Sequence, residues 1–341
     1  RARALPFAGL ALVAFVAFLL LVRHHARLGA ARRRAEELRA INQEASWRLR
    51  RDWARLPQRS QFRAAPDHPY AGDLDLFGPA SLFHLLYPGG TVMGEVALRE
   101  WLLRPAVPAV VRGRQAAVAE LAEQLDLRDD LQVSGRLTGG PNPDPEPFLR
   151  WAEGAPWLTR KPLLVWLARL CPLGLWLSLA LWLTGIVTWP LWLLFALGNE
   201  LLWQTIGRRA VPLIGHVAAQ LDALAHFAAS FAVLDGVTFR AASLAQLQDD
   251  LSVDGLSAYR QMRRLERIAR FVVPPSSLGH GILQRLALWD VQVLVALEGW
   301  QVAAGGSARR WLAALGEVEA LAALGGLAHA QPAWVFPEVA T

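Results

Sequence analysis

Apolar positions along the chain fall into two kinds of pattern. Two are continuous runs: residues 5–22 (LPFAGLALVAFVAFLLLV) carry no charged or strongly polar side chain, and residues 162–206 form a longer run broken near Thr184-Gly185 and Trp189-Pro190. Eighteen residues are about enough to cross a bilayer core, and 45 suit two crossings joined by a turn. Elsewhere apolar residues recur at three- and four-residue steps, the mark of amphipathic helices. Ala31, Ala35, Leu38, Ile41, Ala45 and Leu49 follow this spacing, and Ile214, Val217, Leu221, Leu224, Ala228 and Phe231 form a heptad-like seam. Further helices are predicted over 241–251, 256–270, 278–302 and 307–327, between Gly, Ser-Ser and Pro274-Pro275 punctuation. Residues 73–105 predict two short helices around a sharp turn. Pro79 suits the first turn of one, Pro88-Gly89-Gly90 stops it, and the second starts near Thr91 and ends by Pro105. On that second helix Glu95 precedes Arg99, and Glu100 precedes Arg104, by the favourable four residues. The rest of it is apolar, which places it at the centre of a helical domain. The fold class is mainly α.

Charge gives the apolar runs an orientation. Arg23, His24, His25, Arg27, Arg32, Arg33 and Arg34 follow the first run directly, so that side is cytoplasmic by the positive-inside rule. A cleaved signal peptide carries its charge before the apolar region, so this run reads as an anchor. The chain does not begin with Met, which leads to the expectation that residues, and room for another span, precede Arg1. Arg160-Lys161 before the second run and Arg208-Arg209 after it put both its ends on one side, and an even number of crossings means a hairpin. Trp182 and Trp189 then belong at the outer interface, Trp166 and Trp203 at the inner one. The expected location is the inner (cytoplasmic) membrane, with the helical parts facing the cytoplasm. Arg169 and Glu200 interrupt the hairpin at similar depth in opposed helices, and two readings stay open: an intramembrane ion pair, or snorkelling of each toward the headgroups. The basic helix after the anchor likewise either lies on anionic lipid or continues as an ordinary solvated helix.

The net charge of +6 is unevenly divided. Residues 1–63 hold 14 Arg against 4 acids, residues 64–206 hold 10 basic residues against 14 acids, and residues 207–341 hold 11 of each. A surface that neutralises phosphates carries its excess where it touches nucleic acid, and the soluble parts show no such net excess.

Candidate chemistry is sparse. The one cysteine, Cys171, lies in the hairpin, so neither a disulfide framework nor a Cys-based zinc site can form within the chain. The eight histidines contain no H-E-x-x-H; His216 and His226 stand ten apart, and no metal is expected. Asp129-Asp130 and Asp249-Asp250 read as solvated helix-end charges, and Thr138 to Pro147 as a proline-rich loop. The only lysine, Lys161, follows no glycine-rich loop, so no phosphate-binding G-x-x-x-x-G-K-[ST] exists. No catalytic residues are assigned.

One stretch does resemble a known family. Thr91-x-Met93-Gly94-x-x-x-Leu98-Arg99-x-Trp101-Leu102-Leu103-x-Pro105, followed by Arg114-Gln115-Ala116-Ala117-Val118-x-Glu120-Leu121 and Leu127-Arg128-x-x-Leu131, resembles the core-domain signature of MutS-type DNA mismatch-repair proteins. Val96 departs from it, since many members carry a basic residue there. Leu315-Gly316-Glu317-x-Glu319-Ala320-Leu321 and Trp334-x-Phe336-Pro337-Glu338 resemble the segment just before that family's ATPase domain. The similarity covers roughly residues 73–135 and 210–340. It implies a helical core with lever helices, an ATPase domain that would follow Val339 with ATP and Mg as its cofactors, mismatched or structured DNA as a partner, and a homodimer. The family's mismatch-reading domain, with its Phe-x-Glu wedge, has no counterpart. The expected organisation is an anchor over residues 1–27, a basic juxtamembrane helix and linker over 28–72, a MutS-like core over 73–160, a transmembrane hairpin over 161–206 and levers over 207–341. The rival reading is a membrane-tethered helical scaffold that binds no nucleic acid.

Overall fold

The computed structural model describes residues 4–137, 144–218, 221–253, 255–277 and 279–339, and the side chains of 1–12, 216–226 and 253–254 are not among those described. Most of the loop expected from Thr138 to Pro147, and the side chains of His216 and His226, therefore lie outside the described residues. The chain begins with one long helix, α1 (Ala4–Arg50), of 47 residues. At 1.5 Å per residue it measures about 70 Å, more than twice a bilayer core. The apolar run and the basic helix after it are thus one continuous helix, because nothing between them breaks it. A lone Gly29 costs only about 1 kcal/mol. The helix stops at Arg51, in the left-handed region at φ 56°.

The predicted pair of short helices is present with shifted bounds. The first, α2 (Leu82–Leu86), starts at Ser81, whose Oγ accepts the His84 N–H, and not at Pro79, because Ala80 at φ 56° breaks the chain direction between them. The second, α3 (Val92–Leu103), starts where expected, and the Thr91 side chain caps it by accepting the Gly94 N–H. Of its two predicted ion pairs, Glu100–Arg104 forms at 3.3 Å. Glu95 instead accepts from Ser60 Oγ at 2.6 Å, while Arg99 lies over the Phe62 ring. Only Gly94 and Leu98 of α3 are fully buried, so α3 is not the central helix.

That position belongs to the last helix. The chain continues through α4 (Pro108–Glu123), α5 (Leu125–Arg136), α6 (Glu146–Ala152), α7 (Pro162–Leu183) and α8 (Trp192–Leu202). A π-helical turn (Trp203–Gly207) leads into α9 (Arg208–Ala218), then α10 (Leu221–Asp235) and α11 (Ala242–Asp250). A two-stranded ribbon, β1 (Ser252–Val253) and β2 (Leu256–Ser257), precedes α12 (Ala258–Ala269), α13 (His280–Ala287), α14 (Trp289–Ala304) and α15 (Ala308–Ala330). The helix predicted over 278–302 is thus two, split at Leu288 in the left-handed region at φ 49°. Helix α15 buries twelve residues and packs on α3 along one side and α4 along another, with α5 and α11 beside them. Trp300 and Trp311 are fully buried in the same core.

Three helical stretches among the described residues are long and apolar enough to cross a membrane: Val13–Arg50, Pro162–Leu183 and Trp289–Ala330. In the third, 56% of the most apolar window is buried, so its hydrophobicity is that of the protein core. The first and second bury 0% and 22%, so theirs faces outward. Helices α7 and α8 form the expected antiparallel pair, turning at Gly185 (φ 75°). Phe195 lies against Gly174, where a Cβ would fall 2.4 Å from the ring. Leu163, Leu173, Leu177, Leu194, Leu197 and Leu201 are all more than 60% exposed on its outer surface. A contiguous apolar surface of this kind needs a non-aqueous neighbour.

Helix α14 joins this hairpin to the core. Pro172 inside α7 has no N–H, which leaves the carbonyl four residues earlier, that of Ala168, without its helical partner. Gln292 Nε2 donates to that carbonyl at 2.7 Å. Further along α14, the buried Glu298 carboxylate accepts the backbone N–H groups of Trp157, Leu158 and Thr159 at 2.6–2.9 Å, fixing the segment that enters the hairpin. Glu298→Ala would leave these donors without an acceptor, and charge-assisted bonds of this kind predict a loss of about 3–5 kcal/mol. Glu100→Ala, in an exposed pair, should cost less than about 1 kcal/mol. Chemical unfolding of both variants in detergent checks the contrast, and similar small losses in the two would refute the clamp.

Candidate functional site

The two stretches that carry the family resemblance are over 200 residues apart in sequence and meet in one interface, α3 against α15. Gly316 allows the approach: a Cβ there would lie 2.5 Å from the Met93 carbonyl oxygen. Gly94 plays the same part from the other side, facing the Glu319 side chain. Glu319 Oε2 accepts both the Thr91 N–H at 3.1 Å and the Thr91 hydroxyl at 2.6 Å, so it closes the N-terminus of α3. Its other oxygen, Oε1, is buried with no hydrogen-bond partner. Burial pushes the Glu319 carboxyl up to about 7, against the opposing effect of the Thr91 and Gly94 donors.

The remaining signature residues surround this clasp. Leu98 is in the core, Leu102 packs with Phe83, Leu86 and Tyr87, and Pro105 is exposed past the helix end. The Arg99 guanidinium stands 4.3 Å from the Phe62 ring centroid, and Arg114 stands 3.7 Å from that of Trp101, a cation–π geometry. These positions hold one helix–helix contact together.

Beside the clasp lies a cavity of about 420 Å³. Its walls are the C-terminal half of α1, the Tyr87–Gly90 turn, α5 and the last turns of α15. The volume is within the range of small-molecule sites, and the walls are mostly apolar: Ile41, Leu85, Leu86, Leu98, Leu131 and Leu327 among them. On one side sits an arginine cluster. Glu44, buried on α1, accepts two bonds from Arg136 at 3.1 and 2.6 Å and another from Arg59 at 2.5 Å. Burial would raise its carboxyl, but these bonds prevail and hold it below the usual carboxylate range. Arg48, one turn further along α1, lines the cavity with its Nε buried and unpartnered. Burial, together with the charges of Arg136 and Arg59, pushes it down to about 10 despite Glu44. Of this cluster only Arg48 reaches the cavity lining, where Arg51 and Arg128 stand together with the acids Asp129 and Glu319. No group of three or more His, Cys, Asp or Glu that could hold a metal stands together among the described residues.

The expected basic and intramembrane residues are placed as follows. Arg23, Arg27 and Arg33 are exposed along α1. Arg32 pairs with Glu36 at 2.7 Å, and Arg34 reaches Asp130 of α5 at 2.5 Å, so Arg34 ties α1 to the core. Arg169 and Glu200 are not paired with each other. Glu200 meets Arg285 of α13 at 3.3 Å, and Arg169 is exposed, one residue and 100° round the helix from the buried Ala168. Sequence reading missed Glu44, Arg48, Arg59 and Arg136, whose cluster draws on three separate segments. Spacing within any one of those segments gives no sign of it.

The chain matches no protein-family model, no curated protein and no solved structure.

Glu319 gives the clasp a pH signature. Its folded-state pKa, about 7, lies above the unfolded carboxyl value of 4.5, so the folded protein binds this proton more tightly. The group's contribution is therefore full below pH 4.5 and is lost as pH rises toward 7, by up to about 3 kcal/mol. Glu319→Gln keeps an acceptor for Thr91 and removes the titration. Unfolding free energies of the two proteins, compared across pH 4.5–7, should diverge in the variant's favour as pH rises. A constant difference would show that Glu319 does not titrate in this window.

Proposed function

We propose that residues 1–341 form the membrane-anchored, non-catalytic core-and-lever part of a MutS-like ATPase. In this reading ATP and Mg²⁺ belong to a nucleotide-binding domain outside these residues. Nucleotide binding there would act on α15 and pass through the clasp to α3 and through α14 to the hairpin. Mismatched or structured DNA is the partner the resemblance implies, with a homodimer as the assembly. The single observation that supports it best is that the two family-like stretches, remote in sequence, pair through Gly94, Gly316, Glu319 and Thr91. Further support comes from the extended segment after α15, where Gln115 and Arg112 of α4 donate to the Pro337 and Val339 carbonyls, so that segment is mechanically tied to the core.

The anchor and hairpin are read as crossing the cytoplasmic membrane, with the core on the side marked by Arg23, Arg160, Lys161, Arg208 and Arg209. The scaffold reading draws on a separate observation, the absence of net positive charge over residues 64–341. The natural reading frame separates the two. The first reading expects it to continue into G-x-x-x-x-G-K-[ST], and expects the intact membrane-extracted protein to bind a fluorescent ATP analogue in a Mg²⁺-dependent way. A native protein whose intact mass corresponds to an end at Thr341, with no nucleotide binding, would leave the scaffold reading standing.

A further inference from the structure

Helix α12 carries a charge pattern that the regional balance conceals. Arg260, Arg263, Arg264, Arg267 and Arg270 recur three or four residues apart along one side of the helix, with Arg263 and Arg264 adjacent, and all five are exposed. At 100° per residue they share an arc of roughly 120°. The opposite face is buried: Ala258, Met262, Leu265 and Ala269 pack into the core against α10 and α14. Glu266 is the only acid on this helix, and it engages Arg263 at 3.2 Å and Arg270. Arg260, Arg264 and Arg267 have no acidic partner among the described residues. Alternating signs mark an ordinary solvated helix; a row of one sign does not.

The C-terminal end of this row adjoins the hairpin. Phe271, 57% exposed, follows Arg270, and its carbonyl accepts the Trp289 Nε1–H at 2.7 Å. Three residues beyond Trp289 on α14, Gln292 holds Ala168 of α7. Helix α13, between α12 and α14, packs on α8, where Asn199 Nδ2 donates to the Arg285 carbonyl at 3.1 Å. Ile282 of α13 is 61% exposed as well. An arginine row ending in an exposed aromatic, beside the base of a hairpin whose outer surface is apolar, is the kind of basic face next to a membrane segment that anionic lipid attracts.

We propose that the arginine face of α12, with Phe271 at its end, docks on the anionic headgroups of the leaflet that the hairpin enters. The inference rests on the membrane reading of α7 and α8. Guanidiniums suit phosphodiester groups because their planar fork donates two parallel hydrogen bonds to phosphate oxygens. Each basic residue near an anionic surface contributes on the order of 1 kcal/mol. Because α12 packs on both α10 and α14, lipid charge would thereby bear on the same helices that connect the hairpin to the core.

The test uses the full chain in nanodiscs of phosphatidylcholine, with and without phosphatidylglycerol, read by hydrogen exchange of residues 258–271. Phosphatidylglycerol should slow exchange in this segment by roughly tenfold or more, and raised salt should reverse the effect. The triple variant Arg260→Gln, Arg264→Gln, Arg267→Gln should lose that response while its other segments exchange as in the wild type. A third arm adds duplex DNA to the phosphatidylcholine discs. Protection by DNA with none from phosphatidylglycerol would overturn the proposal and assign the face to nucleic acid, and no protection in either arm would overturn it as a merely solvated face. Co-elution of the chain with lipid is scored separately. A chain that does not stay with the discs refutes the membrane reading, whereas one that stays and shows no lipid-charge response refutes this inference alone.

Discussion

The closest contact between α3 and α15 is the constraint on which the rest of the structure depends. Two helix backbones can approach this far only where side chains are missing, and Gly94 and Gly316 supply the gaps from opposite sides. Close approach then brings the Thr91 donors and the Glu319 carboxylate together in a place that excludes water. A carboxylate there is costly, and the end of a helix, with unpaired N–H groups and the positive end of its dipole, is one of the few partners that can offset the cost. Once α3 is fixed on α15, the neighbours follow. Leu98 is driven into the core, Tyr87 and Gly90 line the cavity mouth, and α5 presents Arg136 to Glu44 of the first helix. The cavity is what remains where α1 cannot pack as tightly as two glycine-bearing helices do.

The hairpin poses the opposite problem. Its outer surface is satisfied only by a non-aqueous neighbour, yet its base must join the helical core without orphaned backbone groups. The structure meets this with polar side chains that reach from α14 into the backbone of the hairpin and its entrance. Gln292 supplies the donor that Pro172 removed, Glu298 collects three N–H groups ahead of α7, and Gln301 Nε2 donates to the Trp151 and Gly154 carbonyls at 2.6 and 2.8 Å. Long polar side chains on a core helix therefore have a definite purpose here: they serve a backbone that has left the regular ladder.

How much of this was legible in the sequence depended on the range of the interaction. The apolar runs, the turn at Gly185 and the helix start after Thr91 are local signals, and all three appear where spacing and chemistry put them. The start of α2 moved because Ala80 adopts a left-handed conformation that no residue type announces. The centre of the domain moved from α3 to α15 because small residues, which score as unremarkable in a hydrophobic pattern, decide which helices come closest. The cluster around Glu44 and the partner of Glu200 were invisible for a different reason: each joins residues from separate segments, and spacing within a segment carries no information about them. Arg169 and Glu200 were expected at similar depth, but depth alone does not specify which way round a helix a side chain points, and Glu200 meets Arg285 instead.

Charge gives the sharpest instance of this limit. Summed over residues 207–341, acids and bases cancel, and the sum argues against any polyanion partner. The folded chain separates what the sum combines. Asp290 is withdrawn into a buried contact with His280 at 2.9 Å, Glu298 is spent on backbone donors, Glu319 is turned into the clasp, and Asp250 is paired with Arg310. Acids that are buried or internally paired do not oppose a ligand at a distant surface, because their field is already compensated by the groups they contact. Most of the arginines of α12 have no such internal partner. The electrostatic character of this region is therefore that of its exposed face, and an anionic surface approaching α12 meets an excess of positive charge that the composition does not reveal.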